Sequence, residues 1–399
     1  MVTEKITLTN PERFSGTHTI SKTKLESAAE KAINKLIERN QKFDKDTYPL
    51  NAPKDYKYVP YHSNIDWQNG MWMGINWIAY ELTGEKHFRD RVEYQLNSFR
   101  ERLNKKIAMS DHDIGFMFMP SAVAAYKITG SEFAYKLAID AADYLYHPNY
   151  SKEGKFIIRG VDDWDKGTGC RTMMDSLMNA TLLFWAGRET GREELFQAGL
   201  DHCRTTEQLL IRADGSSYHH YQFDPATAKP VRGLTFQGNR DESTWSRGHS
   251  WGVYGFALAY NYTGEEWLKD VQQAVTYYTL NHLPDDIVPP WDYDFWDTKK
   301  HYKDASAGVI TTCGLKEMAS LLPDGHSDKQ IYENAAAQLL ESIIDTCTTD
   351  IGVEYDGLLH HVSGAVPLGL AIESCGVYAD YFYLEALMRF LKPEWKRYW

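Results

Sequence analysis

The chain has 399 residues, of which 43% are hydrophobic and 25% charged, a composition typical of globular proteins. Its net charge of -12 without a basic stripe argues against a nucleic-acid partner, and no apolar run is long enough to span a membrane. Five scattered cysteines without a CxxC pair, and an N-terminus without an apolar signal segment, indicate a cytoplasmic protein.

Helices are predicted in six pairs after a short N-terminal extension over about residues 1–21. One helix of each pair has an apolar stripe and a charged face, and these helices are predicted over 22–42, 85–104, 131–147, 191–211, 265–282 and 327–347. The other is apolar on nearly all faces and must be buried, over 69–82, 115–129, 172–187, 249–262, 306–321 and 371–391. Six buried helices that alternate with six half-exposed ones predict one domain over 1–399, an all-α (α/α)6 barrel.

One turn recurs between the helices. A helical pattern ends at Thr-Gly, and an acidic first turn follows at once, with the glycines at Gly84, Gly130, Gly191 and Gly264. Glycine just past a helix end supplies a left-handed residue, and acids favour the next helix N-terminus. Strand patterns are scarce and short, as in KFIIRG (155–160).

The loops that enter the buried helices of such a barrel meet at one rim. They read NIDWQNGMW (64–72), SDHDIGF (110–116), GTGCRTMMD (167–175), STWSRGHSW (243–251), KDASAGV (303–309) and HHVSGAVPLG (360–369). Four of them are rich in Trp, His, Arg or Asp. We therefore predict a concave polar site at this rim, above an aromatic core.

Two aspartates are candidates for chemistry. Asp113 directly precedes a buried helix, where it either caps the helix or faces the site, whereas Asp111 fits capping or solvation better. Asp175 is predicted inside an apolar helix, where a carboxylate either pairs, for example with Arg171, or has its pKa raised. A raised pKa in a cleft is what a general acid needs near neutral pH.

Histidines are the next candidates. His112, His219 and His220 lie in DHD and YHHY runs, which lack the spacing and the cysteines of zinc motifs. We therefore predict no metal site, and expect these imidazoles to bind substrate by hydrogen bonds.

Arg247 opens a buried helix in WSRGHSWG. It either pairs with Asp241 or Glu242, or binds a carboxylate of the substrate in the bidentate way that guanidinium favours. Gln237 belongs to the same neighbourhood.

Trp67 and Trp251 are predicted near the starts of buried helices, where they either fill the core or stack on a sugar. No GxGxxG after a strand and no P-loop occurs, and GHSWG (248–252) does not form a strand-to-helix elbow, so neither a nucleotide cofactor nor a serine hydrolase is expected. Two carboxylates, imidazoles, an arginine and tryptophans at one rim favour a carbohydrate ligand.

These loops together resemble the bacterial unsaturated glucuronyl hydrolases, glycoside hydrolase family 88. The resemblance covers nearly the whole chain from about residue 25 and is carried by DWQNGMWMG, HDIGFMF, RTMMDSLMN, SYHHYQFDP, TFQG and STWSRGHSWGVYG. It implies an (α/α)6 barrel without a cofactor. The implied activity removes the 4,5-unsaturated uronate that polysaccharide lyases leave at the non-reducing end of glycosaminoglycan oligosaccharides, by hydrating its vinyl ether.

The resemblance also implies roles for individual residues. Asp175 matches the general acid/base and Asp113 the second essential carboxylate. The positions that bind the unsaturated sugar are matched by Trp67, His112, His219, Gln237, Arg247 and Trp251.

One departure concerns sulfate. Some relatives that accept sulfated disaccharides carry Ser-x-x-Ser-x-Lys near the last inner helix, where this chain has Ser363, Val366 and Leu368. Sulfate recognition by that route is therefore not expected.

Three other functions remain open on the sequence. An unsaturated rhamnogalacturonyl hydrolase shares the implied fold but acts on pectin fragments, and WSRGHSWG and YHHYQF favour the glucuronyl enzyme over it. A sugar isomerase or epimerase would rely on a histidine pair, so replacing His219 would then be as harmful as replacing Asp175. A sugar-binding protein without turnover would not need a buried acid at Asp175.

Overall fold

The structure is a computed structural model that describes residues 6–50, 56–162, 170–294, 302–350 and 354–399. Residues 1–5 of the predicted extension and 167–169 of the third rim loop lie outside this description. The helices are α1 (Lys22–Lys42), α2 (Gln68–Thr83), α3 (Lys86–Lys105), α4 (Ile114–Phe118), α5 (Ala124–Thr129), α6 (Glu132–Tyr146), α7 (Ser176–Thr190), α8 (Glu193–Leu210), α9 (Ser246–Thr263), α10 (Glu266–His282), α11 (Ala305–Leu321), α12 (Ser327–Thr346) and α13 (Val377–Leu391). A π-helical turn, Met119–Val123, joins α4 to α5.

Short antiparallel strands lie between the helices. They are β1 (Tyr48–Leu50), β2 (Val59–Tyr61), β3 (Tyr150–Ser151), β4 (Phe156–Ile157), β5 (Arg171–Met173), β6 (His220–Phe223) and β7 (Pro230–Leu234). β1 pairs with β2, β3 pairs with β4, and β5, β6 and β7 form a three-stranded sheet in that order.

The helices form two concentric layers. In the inner layer α2, α4, α7, α9, α11 and α13 contact one another in this order, and α13 contacts α2 to close the ring. α4 continues through the π-helical turn into α5, which forms the end of the same inner helix. An inner helix is buried all round, as α7 is at every position from Ser176 to Gly187. An outer helix buries one stripe, which in α3 includes Phe88, Val92 and Leu96. The predicted (α/α)6 barrel is confirmed.

The Thr-Gly turns end four inner helices as predicted. Gly84, Gly130, Gly191 and Gly264 have φ of 75°, 70°, 68° and 71° and cap α2, α5, α7 and α9. Each preceding threonine donates its hydroxyl to the carbonyl of an alanine four residues earlier, at 2.6–2.8 Å. The hydroxyl thus adds a side-chain hydrogen bond to a carbonyl of the last helical turn, a local pattern common for threonine in helices.

Two predicted helix starts are wrong. The third inner helix begins at Ser176 and not at 172, because residues 171–173 form β5 and pair with β6. Asp175 therefore precedes the helix and does not lie in its interior. The last inner helix begins at Val377 and not at 371. In the first case, pairing with a strand about fifty residues away outweighs the local helical pattern.

Aromatic rings fill the centre of the ring of helices. Trp251 lies between Phe116 and Phe382, with centroid distances of 5.1 and 5.2 Å. Trp399 stacks on Phe382 at 5.8 Å and meets Phe116 edge-on at 5.9 Å. Among the described residues, no helix combines the length and apolarity required to cross a bilayer.

Candidate active site

The two candidate aspartates occupy equivalent positions on neighbouring inner helices. Asp113 is the N-cap residue of α4 and Asp175 that of α7, yet within the described chain neither side chain makes a capping hydrogen bond. The helices approach closely at Gly115, where a Cβ would lie 2.4 Å from Cα of Asn179. The amide of Asn179 accepts from the Phe116 N–H at 2.7 Å and donates to the Asp175 carbonyl at 3.2 Å. This contact brings the two carboxylates together.

His112 lies between these carboxylates. Its Nε2 is 3.3 Å from Oδ1 of Asp113 and 3.2 Å from Oδ1 of Asp175, while Nδ1 contacts Asp111. Burial alone would lower the pKa of His112, but the charges of Asp113, Asp111 and Asp175 raise it well above its ordinary value. The ring is therefore an imidazolium that holds the carboxylates at ion-pair distance.

Both carboxylates remain accessible from the rim. The side chain of His112 is 4% exposed, whereas those of Asp113 and Asp175 are 17% and 15% exposed. Oδ1 of Asp175 is not aligned for a hydrogen bond with Nε2, and it has no hydrogen-bond partner within the described part of the chain. A buried acceptor without a partner is uncommon in proteins, and at a rim it can accept from a ligand.

The carboxyl of Asp113 titrates near neutral pH. Burial raises its pKa to about 7, and the positive charge of His112 opposes this rise. A carboxyl with such a pKa exists in both protonation states under physiological conditions, which acid/base chemistry requires.

Arg247 is held by the barrel itself. Its Nη1 pairs with Oδ2 of Asp304 at 2.8 Å, and both terminal nitrogens donate to carbonyls of the rim loop 360–369. The alternative of an ion pair with Asp241 or Glu242 is wrong, because Arg247 pairs instead with the N-cap residue of the neighbouring inner helix α11. The guanidinium thus joins the starts of two inner helices to a third rim loop.

His219 and Gln237 lie beside this arginine. His219 accepts or donates at Nδ1 with the Thr235 hydroxyl at 3.0 Å, and its Nε2 has no partner among the described residues. Burial first, then the charges of His220 and Arg247, lower the pKa of His219 well below its ordinary value, so the ring is neutral. Gln237 donates its amide to the same rim loop at 3.1 Å.

The two tryptophans differ in exposure. Trp67 is the N-cap residue of α2, is partly exposed, and stacks on Tyr378 with a centroid distance of 5.6 Å. Arg247 lies 4.9 Å from the ring centroid of Tyr378, so Trp67 and the arginine share one stack. Trp251 is only 2% exposed in the second turn of α9, which makes it a core residue beneath the rim.

Three adjacent side chains could hold a metal ion. Asp111, His112 and Asp113 each place one potential ligand atom within 4.8 Å of the others. A metal ligand must be a deprotonated imidazole, whereas the surrounding carboxylates favour the protonated form of His112. A cation that binds these three side chains must therefore displace the proton of His112.

Sequence reasoning missed Asp304 and Asn179. Asp304 is the N-cap residue of α11 and holds Arg247, and the pattern that singled out Asp113, an aspartate directly before a buried helix, also applies to it. Asn179 is one turn after Asp175 in an apolar helix, where an amide side chain is unusual enough to be a signal.

Comparison with known proteins shows the family to which the sequence is similar. The model for Glycosyl Hydrolase Family 88 matches residues 33–370. An unsaturated chondroitin disaccharide hydrolase from Streptococcus pneumoniae is 37% identical over 390 residues, which cover 98% of this chain and 97% of that protein. An unsaturated glucuronyl hydrolase from Bacillus sp. (strain GL1) is 37% identical over 354 residues, covering 89% of this chain and 93% of that protein.

Solved structures agree with this similarity. The crystal structure of an unsaturated glucuronyl hydrolase from Streptococcus agalactiae superposes with a TM-score of 0.94 at 34% identity, covering 99% of this chain and 98% of that one. A variant of that protein in complex with dGlcA-GalNAc6S superposes with a TM-score of 0.87 at 33% identity over the same shares.

Proposed function

This chain belongs to glycosyl hydrolase family 88 and is a glycoside hydrolase; from that premise we propose that it acts on unsaturated glycosaminoglycan oligosaccharides. It releases the 4,5-unsaturated uronate from the non-reducing end of fragments that polysaccharide lyases produce. The names of the relatives from S. pneumoniae and Bacillus sp., and the disaccharide bound in the S. agalactiae structure, support this substrate class.

One observation carries the proposed chemistry. Asp113 and Asp175 start adjacent inner helices, cap neither helix within the described chain, and face the same imidazolium at 3.3 and 3.2 Å. An aspartate at a helix start usually caps that helix. Two aspartates that both face one histidine instead of capping their helices are better explained by a role in one reaction. In this proposal Asp175 is the general acid/base and Asp113 the second carboxylate.

The reaction is a hydration. Asp175 donates its proton to C4 of the enol ether, and positive charge develops at C5, where the ring oxygen stabilises it. Asp175, now a carboxylate, accepts a proton from the water that adds to C5. The hemiketal at C5 opens, and the hemiacetal left at C1 expels the remaining saccharide. The separation rule for carboxylates that act at an anomeric carbon does not apply to this route.

The remaining predicted residues hold the sugar in this proposal. Nε2 of the neutral His219, which has no partner among the described residues, binds a hydroxyl or carboxylate of the sugar, Gln237 lies beside it, and Trp67 is partly exposed at the rim. Arg247 attracts the uronate carboxylate while it stays paired with the barrel, and Trp251 supports the site from beneath.

The test uses an unsaturated chondroitin or hyaluronan disaccharide as substrate and measures the ultraviolet absorbance of its conjugated double bond over time. We expect wild-type protein to remove the absorbance and Asp175→Asn to lower kcat at least about a hundredfold, the lower range of acid/base catalysis. Asp324→Asn, at an exposed loop carboxylate, is the matched control and should keep full activity.

Two results would overturn parts of the proposal. If wild-type protein leaves glycosaminoglycan disaccharides intact, the substrate class is wrong. If Asp175→Asn is as active as the control, the reaction stands and the acid lies elsewhere, with Asp113→Asn the next variant to measure.

A further inference from the structure

Five planar side chains form a continuous row across the rim. Trp67 stacks on Tyr378 at a centroid distance of 5.6 Å. The guanidinium carbon of Arg247 lies over the rings of Tyr378 and Trp245, 4.9 and 4.5 Å from their centroids. The ring of Trp245 in turn meets that of His219 at 4.4 Å. Trp67, Arg247 and His219 bind the sugar in the proposed function, and Tyr378 and Trp245 lie between them.

The guanidinium of Arg247 lies between two separate aromatic rings. Trp245 packs with Trp291 in a small cluster of its own, whereas Tyr378 belongs to the main core. Within the described part of the chain, the two rings make no contact with each other, yet each has the same guanidinium over its face. The rings therefore bound Arg247 on two sides.

Each ring is packed against a glycine close to it in the sequence. A Cβ at Gly248 would lie 2.4 Å from Cε3 of Trp245, and a Cβ at Gly376 would lie 2.9 Å from Cε1 of Tyr378. Both rings are also buried, with 3% and 4% of their surface exposed. In an interior packed to this density the rings are rigid walls beside the guanidinium.

The hydrogen bonds of Arg247 leave some of its donors free. Nη1 pairs with Oδ2 of Asp304 and donates to the Ser363 carbonyl, and Nη2 donates to the Gly364 carbonyl. Within the described chain Nε makes no hydrogen bond and Nη2 makes this single one. A guanidinium has five N–H donors, all in its plane. A carboxylate can therefore bind Arg247 in that plane, through Nε and Nη2.

Such binding depends on the orientation of the guanidinium. Two parallel N–H···O bonds form only when the carboxylate lies in the plane of the guanidinium. The contacts of Nη1 and Nη2 hold one end of the group, but hydrogen bonds at one end resist tilting weakly. Aromatic rings on two sides resist it directly, because guanidinium stacks on aromatic faces. A guanidinium that is oriented before the ligand arrives loses less freedom on binding.

Resting on the proposed function, we propose that Tyr378 and Trp245 are positioning residues that hold the guanidinium of Arg247 in the plane in which it binds the uronate carboxylate. They act through Arg247 and set the preference of the site for a charged uronate over a neutral derivative. Without either ring, Arg247 keeps its pair with Asp304 and loses the orientation that bidentate binding requires.

The experiment compares the unsaturated chondroitin disaccharide with its uronate methyl ester, which carries no charge. Calorimetry in the Asp175→Asn background measures the Kd of both ligands. For Tyr378→Leu we expect the Kd of the acid to rise about tenfold and that of the ester to change by less than about twofold. Tyr378→Phe keeps the ring and should bind the acid as the parent does. With Asp175 intact, Tyr378→Leu should raise KM and leave kcat nearly unchanged, since Tyr378 does not touch the reacting atoms.

Tyr383→Leu is the matched control. Tyr383 is buried in the same helix, α13, but it lines a cavity between α1 and α12, away from Arg247. The same truncation there should leave both Kd values unchanged. Trp245→Leu removes the ring on the other side of Arg247 and should repeat the selective loss of acid binding, so the inference is tested even if Tyr378→Leu does not fold.

The outcomes separate this inference from the proposed function. If wild-type protein does not convert the disaccharide, the proposed function is wrong, and the inference falls with it. If conversion occurs but the acid and the ester lose affinity by the same factor, the rings support the rim without orienting Arg247. Acid binding as tight as in Tyr383→Leu would also overturn the inference. So would a loss in Tyr378→Phe equal to that in Tyr378→Leu, because the hydroxyl would then matter and not the ring.

Discussion

At the scale of single residues, the site depends on one positive charge placed between acids. His112 contacts three carboxylates, those of Asp111, Asp113 and Asp175, and is almost fully buried. Without its proton, these carboxylates would repel one another in a medium that screens charge poorly. Imidazolium formation therefore belongs to the folded state of the site, and the pKa of the Asp113 carboxyl, about 7, lies near neutral pH.

The pKa of Asp113 predicts a stability change that depends on pH. Its folded value of about 7 exceeds the value of about 3.9 for an unfolded aspartate. The folded state therefore binds this proton more tightly, so stability is lost as pH rises from about 4 to about 7. Asn cannot ionise, and we expect Asp113→Asn to raise the free energy of unfolding at pH 8 by roughly 1–4 kcal/mol.

Urea unfolding of wild type and Asp113→Asn at pH 8 and pH 4.5 measures this. The gain should shrink strongly at the lower pH, where the wild-type carboxyl is neutral, while activity is lost at both. A gain of the same size at the two pH values would mean that ionisation of Asp113 is not its cause.

At the scale of secondary-structure elements, the distance between two helices sets the distance between two carboxylates. Gly115 of α4 lies against the backbone of Asn179 in α7, and no side chain fits between them. The Asn179 amide then fixes the two helix starts in register. Gly115 and Asn179 thus determine the distance between the carboxylates of Asp113 and Asp175.

Gly115→Ala tests this contact. A Cβ 2.4 Å from Asn179 Cα must push the helices apart, and overpacking of this kind costs typically 1–3 kcal/mol. Because Asp113 and Asp175 move with their helices, we expect kcat to fall as well, by about tenfold or more, since small misplacements of reacting groups are costly.

The matched control is Gly252→Ala in α9, where the nearest atom to the added Cβ is the flexible Met174 sulfur at 3.4 Å. This change also gains helix propensity, so thermal unfolding should be unchanged or higher. If both variants unfold at the same temperature and keep full activity, the close helix contact does not set the site.

At the scale of the whole molecule, the barrel is closed by a buried ion pair. Arg39 of α1 pairs with Asp380 of α13 at 2.6 Å, and both side chains are inaccessible. The same carboxylate accepts from the Tyr58 hydroxyl and from the Leu358 N–H, at 2.9 and 2.8 Å. One side chain therefore joins the first helix, the last helix and two loops.

Asp380→Asn should destabilise the protein by roughly 3–5 kcal/mol, because it leaves the Arg39 charge buried without a counter-charge. Glu101→Gln, which breaks an exposed pair with Lys105 on α3, is the control and should change stability by less than about 1 kcal/mol. Denaturant unfolding measures both. Similar small effects would show that the buried pair contributes little to closure.

The features of the fold that could be predicted from the sequence are those that depend on local residue patterns. The Thr-Gly turns and the two kinds of helix predict the barrel because each depends on residues within one or two turns of the chain. β5 was missed because three residues carry too little pattern, and their pairing with β6 depends on the finished fold. The candidate aspartates were found as helix starts, but the bridge through His112 requires the approach of α4 and α7, which no local spacing encodes.

The order of the layers has a consequence for the potential at the rim. Six inner helices begin there, near Trp67, Asp113, Asp175, Trp245, Asp304 and Gly376. The start of each helix carries about half a positive charge, and the converging dipoles add within a few ångströms and fade rapidly beyond that distance. A negatively charged sugar is thus repelled by this acidic protein at long range and attracted once it enters the rim. The backbone therefore favours an anionic ligand that reaches the helix starts over one that carries the same charge but stays outside the rim.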